Sequence, residues 1–345
     1  MSDKKNNPWH GRHGIYLIAE VGGNHEGDFE YAKRLTHLAC ESGVDSVKFQ
    51  IYTGDTLVSP VESPDRNKHF KKFELSLEQY QELAEICRTH GVTFSASIWS
   101  LEAISLMAPW MGFYKIGSGD LTAYPVIRRI VEMKKPIVLS TGLSTLEEVG
   151  QTVDFIQGLD ERYKKPENLA ILQCTSMYPI PPEDAHLKVM DLFRESFGLP
   201  VGYSDHTVGL EAMEVAVAMG AQVLEKHFTD TREGKTFRDH QVSFVKTEVA
   251  SLIEKIKRIQ ALHGEKNKIP AEIEIKNNHP HSFRRAVYAK CDLPAGTLVT
   301  ENQLTVLRPN AGIDARDYFK LLGKRVKHGV KAFHKLDWHD FEDGE

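Results

Sequence analysis

The segment GAQVLEKHFTD, Gly220 to Asp230, places a carboxylate, an ammonium and an imidazole in consecutive order at the end of an apolar run. Glu225, Lys226 and His227 are costly to bury without partners, so other polar groups must meet them. Side chains two apart on a strand share a face, which points Glu225 and His227 one way and Lys226 the other. His206, in VGYSDHT, ends the preceding run. Imidazoles on two neighbouring strands suit a divalent cation, Mn²⁺ or Mg²⁺, with water and substrate oxygens filling the remaining positions. Lys48 in SVKFQ and Lys115 in FYKIGS also end apolar runs. Two ammonium groups at one mouth repel unless a ligand brings negative charge, and Ser118, Ser140 and Ser204 add hydroxyl donors of the kind that surround phosphate and carboxylate. Glu20 and Asp120, in AEVGG and GSGDL, are candidates for proton transfer or for steadying a metal-bound water. His25 and Glu26 read as surface residues of a loop.

For these groups to meet, the chain must bring many strand ends to one place. Apolar or β-branched runs alternate with amphipathic segments: IYLIAEV, SVKFQ, TFSAS, FYKIGS, PIVLST, AILQC, PVGYSD and QVLEKHF are expected strands. Between them, DFEYAKRLTHLACESG and SLEQYQELAEICRTHG have helical spacing with a closing glycine, and STLEEVGQTVDFIQG opens on Ser144 or Thr145 as a cap. Strand-helix units of roughly 30 residues, repeated through the barrel-sized first part, predict a closed parallel (β/α)8 TIM barrel. An open doubly wound sheet is disfavoured, because VGGNHEG after the first strand lacks the dinucleotide fingerprint. Each run ends in polar residues: Glu20; Lys48 and Gln50; Ser95 and Ser97; Lys115 and Ser118; Ser140 and Thr141; Gln173 and Thr175; Ser204 and His206; Glu225 and His227. A parallel barrel carries its chemistry at those carboxyl ends.

The expected boundaries are a barrel over 1–265, a polar, prolyl linker over 266–281 and a small β-rich module over 282–345, whose short runs are split by PAG and PNAG. The module is expected to lean on the barrel or on a second subunit, being too small for much core of its own.

With 41% hydrophobic and 26% charged residues in 345, the composition is that of a globular protein. A net charge of −5 disfavours nucleic acid and anionic membranes as principal partners, so any bound anion must be held by locally gathered cations. The opening MSDKKNNPWHGRHG has no apolar signal core, and the expectation is a cytoplasmic protein. Cys40, Cys87, Cys174 and Cys291 lie far apart without paired spacing, which fits packed thiols in a reduced compartment.

The series IAEVGGNHEGD, VKFQ, YKIGSGD, LSTG, CTSMYP, YSDHT and EKHFTD resembles, in order, the motifs of the sialic acid synthase family. The terminal LPAGTLVTENQLTVLRPNAGI is similar to that family's antifreeze-like (SAF) domain. The resemblance implies condensation of phosphoenolpyruvate with an N-acylated amino-hexose, such as N-acetylmannosamine or a 2,4-diacetamido sugar, to a nonulosonic acid and phosphate. It further implies that Lys48, Lys115, Ser118, Ser140, Ser176 and Ser204 hold phosphoenolpyruvate, and that His206 and His227 hold the metal. Glu20, Gln50, Tyr178 and Glu225 would line the sugar and metal region. A domain-swapped homodimer would set Arg308 of LRPNAG over the partner's sugar. Two positions depart from the pattern: Ser176 where asparagine is common, and Asp120 where some members carry glutamate. The loop YTGDTLVSPVESPDRNKHFKKFELS is where sugar specificity is expected.

Two other functions compete. A Schiff-base aldolase would use Lys115 or Lys48 as nucleophile. A non-catalytic carbohydrate-binding or ice-binding protein would leave the barrel inert.

Overall fold

The computed structural model describes residues 9–342. Eight strands close a parallel barrel in chain order: β1 (Tyr16–Gly22), β2 (Ser46–Ile51), β3 (Thr93–Ile98), β4 (Phe113–Ile116), β5 (Ile137–Ser140), β6 (Leu169–Cys174), β7 (Val201–Asp205) and β8 (Val223–His227). Strand β8 pairs back onto β1, with Glu20 in register with His227. Helices α1 (Phe29–Cys40), α2 (Gly54–Leu57), α3 (Pro64–Lys71), α4 (Leu77–Thr89), α5 (Leu101–Met107), α6 (Tyr124–Glu132), α7 (Leu146–Leu159), α8 (Val189–Phe197), α9 (Glu211–Ala218) and α10 (Lys246–His263) fill the connections. The short α2 and α3 are extra turns between β2 and α4.

Local chemistry sets these boundaries. Asp28 caps α1 by accepting from the Tyr31 amide at 3.0 Å, and Ser76 with Gln79, like Thr145 with Glu148, forms a reciprocal capping box. After α9, Gly220 adopts φ +85°, a conformation that a Cβ disfavours, and turns the chain into β8.

Alternation along the strands creates two layers. Outward residues such as Leu17, Ala19, Val47, Phe49, Tyr203 and Leu224 join the large core beneath the helices. Inward residues Ile18, Phe113, Val138, Ala170, Leu172 and Val223 form a second core at the amino end of the barrel, closed by Trp9. The Trp9 ring meets Tyr16 and Phe113 edge-on, both with centroids at 5.8 Å. With the amino end packed by apolar side chains, the polar inward residues are confined to the carboxyl end.

The chain divides into two compact units between Gly264 and Glu265. In the second, the segment expected as a linker carries two helical turns, α11 (Glu272–Lys276) and α12 (His279–Ser282). Strands β9 (Ala286–Ala289) and β10 (Leu304–Leu307) then pair antiparallel. This unit buries its own cluster, including Val287, Leu304, Ile313, Leu336 and Phe341, so it has more of a core than its length led us to expect. Among the described residues no helix is long and apolar enough to cross a membrane.

Candidate active site

The carboxyl ends of the strands surround a cavity of about 1160 Å³. Its floor is a network of buried charges on β1, β2, β4 and β8. Lys48 is in direct ionic contact with Glu20, and its Nζ stands 3.9 Å from Glu225 Oε2. On the other side of Glu225, Lys115 Nζ is 3.6 Å from Oε1 and donates to Ser140 Oγ at 2.6 Å. The Ser204 hydroxyl also donates to Glu225 Oε1, at 2.9 Å, and Gln50 Nε2 donates to Glu20 Oε1 at 3.1 Å.

These surroundings drive the two glutamates apart. Burial pushes the Glu20 carboxyl up to about 7, against the pull of Lys48. Burial acts on Glu225 in the same direction, but Lys115, Lys48 and the Ser204 hydroxyl overcome it and hold this carboxyl below its ordinary value. Glu225 therefore stays anionic while Glu20 exchanges a proton near neutrality. Burial also lowers Lys115; for Lys48 the same penalty is outweighed by Glu20 and Glu225, which raise it.

His206 and His227 project into the cavity from the ends of β7 and β8 with ring centroids 5.5 Å apart. His206 Nδ1 lies 2.8 Å from the Thr175 carbonyl, which can only accept, so Nδ1 carries the proton and Nε2 keeps a lone pair. Burial holds His227 well below the ordinary imidazole value and thus neutral. Its Nδ1 is buried without a hydrogen-bond partner, the nearest carboxylate oxygen being Asp239 Oδ2 at 3.9 Å. Burial lowers His206, but Cys174 and the Thr175 carbonyl outweigh it and raise this imidazole, so a cation binding its Nε2 would displace a proton; with the neutral His227 beside it, the pair fits a divalent cation. The Tyr178 ring packs 4.1 Å from His206 and 5.6 Å from His227, limiting their swing.

On the opposite wall the turns after β4, β5 and β6 converge. The Gly142 amide donates to Ser118 Oγ at 3.0 Å. A Cβ on Gly142 would fall 2.5 Å from Ser176 Oγ and 2.8 Å from Ser118 Oγ, so glycine is what lets these two hydroxyls approach the backbone. Asp120, raised by burial and bonded to Trp99, borders the same wall.

Of the residues singled out from sequence, Glu20, Lys48, Gln50, Lys115, Ser118, Asp120, Ser140, Ser176, Tyr178, Ser204, His206, Glu225 and His227 all line this one cavity. Arg308 lies in the second unit, exposed, its guanidinium carbon 5.4 Å from the centre of the Phe283 ring.

Several lining residues were not anticipated. Glu26, read as a surface loop residue, lines the cavity and stands 3.2 Å from His240 Nε2, while His25 is 1% exposed. Cys174, near a strand end and read as a packed thiol that could lie close to a site, is both: it is buried at the cavity wall with its sulfur 3.8 Å from His206 Nδ1. Arg238 and Asp239 come from a short 3₁₀ turn, Arg238–Val242. The charged cluster FRDH after the last barrel strand was a usable signal for them. Ser97 had been noted only as a strand end and Trp99 not at all, whereas Arg66 and His69, which also line the cavity, lie in the loop 52–76 where sugar specificity was expected.

Comparison with known proteins places the chain in a family. The model of the NeuB family matches residues 35–268, and that of the SAF domain matches 284–342. The chain is 33% identical to the N,N'-diacetyllegionaminic acid synthase of Legionella pneumophila, covering 95% of this chain and 94% of that one. It is also 33% identical to the N-acetylneuraminate-9-phosphate synthase of Mus musculus, covering 92% and 89%. The crystal structure of N-acetylneuraminic acid synthetase from Leptospira borgpetersenii in complex with citrate superposes with a TM-score of 0.70 and 26% identity, covering 76% of this chain and 90% of that one.

Proposed function

Because this chain belongs to the NeuB family of nonulosonic acid synthases and ends in a SAF domain, we propose that it condenses phosphoenolpyruvate with an N-acylated amino-hexose, releasing phosphate. The observation that carries this reading is the pairing, in one cavity, of His206 and His227 with the Lys48, Glu225 and Lys115 cluster. A doubly anionic enol ester needs the ammonium groups; an aldehyde acceptor needs an electrophilic site beside them.

In the proposed reaction, Lys48 and Lys115 hold the carboxylate and phosphate of phosphoenolpyruvate, with hydroxyls of Ser118, Ser140, Ser176 and Ser204 as further donors. Glu225, kept anionic, fixes both lysines so that their charge is spent on the ligand without repulsion between them. Carbon 3 of phosphoenolpyruvate attacks the open-chain aldehyde carbon, forming the C–C bond as the aldehyde oxygen takes a proton. Glu20 is the group placed to exchange that proton, having been tuned near neutrality. Water then adds at carbon 2 and phosphate leaves with cleavage of its C–O bond. His206 and His227 are the residues that would hold a divalent cation, Mn²⁺ or Mg²⁺, which when bound supplies Lewis-acid polarisation of the aldehyde oxygen. Gln50, Tyr178 and Asp120 border the acceptor. Bringing both reactants to one mouth removes an encounter cost that can reach roughly 7–11 kcal/mol. The reading includes a cytoplasmic homodimer in which Arg308 covers the partner's acceptor.

Phosphate release from phosphoenolpyruvate, measured across a panel of 2-acetamido and 2,4-diacetamido hexoses, tests the reading. It is overturned if no member of the panel releases phosphate in the presence of Mn²⁺ or Mg²⁺.

A further inference from the structure

Two of the four cysteines meet outside the cavity. Cys40 is the last residue of α1, and Cys87 stands two residues before the end of α4. These helices pack side by side over β2, and the Cys40 thiol donates to the Cys87 sulfur at 3.9 Å. Both sulfurs are buried in the large core. His37 and His90, exposed one helical turn away on the same two helix ends, bring Nδ1 and Nε2 to 3.2 Å of each other. The thiols are thus held together by core packing and by a second contact between the helices that carry them.

The pair is unequal. Cys87 is fully buried, whereas Cys40 is 6% exposed and sits where a helix frays first. Its hydrogen bond with Cys40, and then burial, raise the Cys87 thiol well above its ordinary value, so Cys87 stays protonated. An oxidant therefore meets Cys40 first, with Cys87 directly behind it.

We propose that Cys40 and Cys87 form an oxidation site, which a small hydroperoxide converts into a disulfide stapling α1 to α4. The site is separate from the reaction in the cavity, since neither thiol lines it. Cys40, having given up its proton, attacks a peroxide oxygen; the O–O bond breaks, and the departing oxygen takes up that proton as water or an alcohol. Cys87 then attacks the sulfenic sulfur of Cys40. The S–S bond forms, the S–O bond breaks, and the hydroxyl leaves with the Cys87 proton as water. Two thiols are oxidised and one hydroperoxide is reduced.

The sulfurs have to close from 3.9 Å to about 2.05 Å, which is within the reach of side-chain rotation. The ring so formed contains β2, with Lys48 and Gln50, and the loop 52–76. Tyr80 of α4 already donates to the Gln50 carbonyl at 2.7 Å, so a bond at Cys87 braces the helix that holds this strand. Linking residues 47 apart in sequence narrows the unfolded ensemble, and stability rises with oxidation. In a reduced compartment the pair remains a dithiol and closes when peroxide rises.

The test treats the full chain with hydrogen peroxide, alkylates the remaining thiols in urea, digests with trypsin and reads the peptides by mass without reduction. Peptides 35–48 and 73–88 are expected to be joined, and dithiothreitol should separate them. The thermal midpoint should rise by roughly 5 °C on oxidation and return on reduction, a comparison that needs no variant to fold. In Cys40→Ala and in Cys87→Ala the shift should be absent. Both peptides alkylated, under peroxide that oxidises the exposed Cys291, would overturn the proposal. So would a joined pair with a lowered midpoint, or Cys40 driven on to sulfinic acid with Cys87 left free. Zn²⁺ retained through gel filtration and protecting both thiols would assign them, with His37 and His90, to a metal, and overturns it as well.

Discussion

The Lys226 ammonium lies 2.5 Å from the Asp205 carboxylate, on the outer face of the two strands whose inner faces lead to His227 and His206. Both groups are almost wholly buried. Lys226 also donates to the Thr207 carbonyl at 2.8 Å, and Asp205 accepts from the Thr207 amide at 2.9 Å. The pair thus clamps the residue that follows His206 and ties together the strands that carry both imidazoles.

Replacing Lys226 with Met strands a buried carboxylate and is expected to cost about 3–5 kcal/mol. Adding Asp205→Asn removes the unpaired charge and should restore part of that loss. Urea unfolding of the single and double variants checks this; a single-variant loss below about 1 kcal/mol would show that the carboxylate finds relief in water or by protonation.

His25 gives a stability change with pH. Burial lowers its imidazole to about 4, from 6.5. Between those values the unfolded chain binds the proton and the folded chain does not, so its contribution is intact above pH 6.5 and is lost as pH falls toward 4. His25→Gln should flatten the acid side of the stability curve by up to about 3 kcal/mol. Parallel curves for the two proteins, from denaturant midpoints at several pH values, would contradict the assignment.

Chelation should abolish phosphate release, and Mn²⁺ should restore it. His206→Ala and His227→Ala are expected to lose turnover and Mn²⁺ binding together while keeping the circular dichroism of the fold. Retention of a metal requirement with ordinary affinity in either variant would move the cation elsewhere.

Gly142→Ala sets a methyl against Ser118 and Ser176. The KM for phosphoenolpyruvate is expected to rise about tenfold or more, with a smaller effect on the KM for sugar. Equal changes in both constants would separate these hydroxyls from phosphoenolpyruvate.

Lys115 is buried between Glu225 and Ser140. In the proposed mechanism it acts as a cation, so borohydride with pyruvate should leave it unmodified, and Lys115→Met should mainly weaken phosphoenolpyruvate binding. Covalent trapping at Lys115, with activity that survives chelation, would favour the Schiff-base aldolase.

The barrel was legible because its signals are local. Alternation in QVLEKHF already sent Glu225 and His227 to one face and Lys226 to the other, and glycines and capping residues marked the helix ends. Polar strand ends marked the chemical mouth in the same way. Arg238 and Asp239 escaped notice as site residues because a five-residue 3₁₀ turn has no period to read. Glu26 is exposed, as its loop suggested, and escaped notice because its tie to the cavity is the buried His240, which is distant in sequence.

Residue order along each strand thus determined which side chains face inward, and in what chemical series. Only closure of β8 onto β1 decided what those side chains experience. It brought the Glu225 charge within reach of the Glu20–Lys48 pair that β1 and β2 set in register, helped exclude water from all three, and so set one carboxyl near 7 and the other low. Side-chain direction follows from backbone geometry over a few residues, whereas desolvation and Coulomb energy depend on neighbours that the sequence does not place side by side.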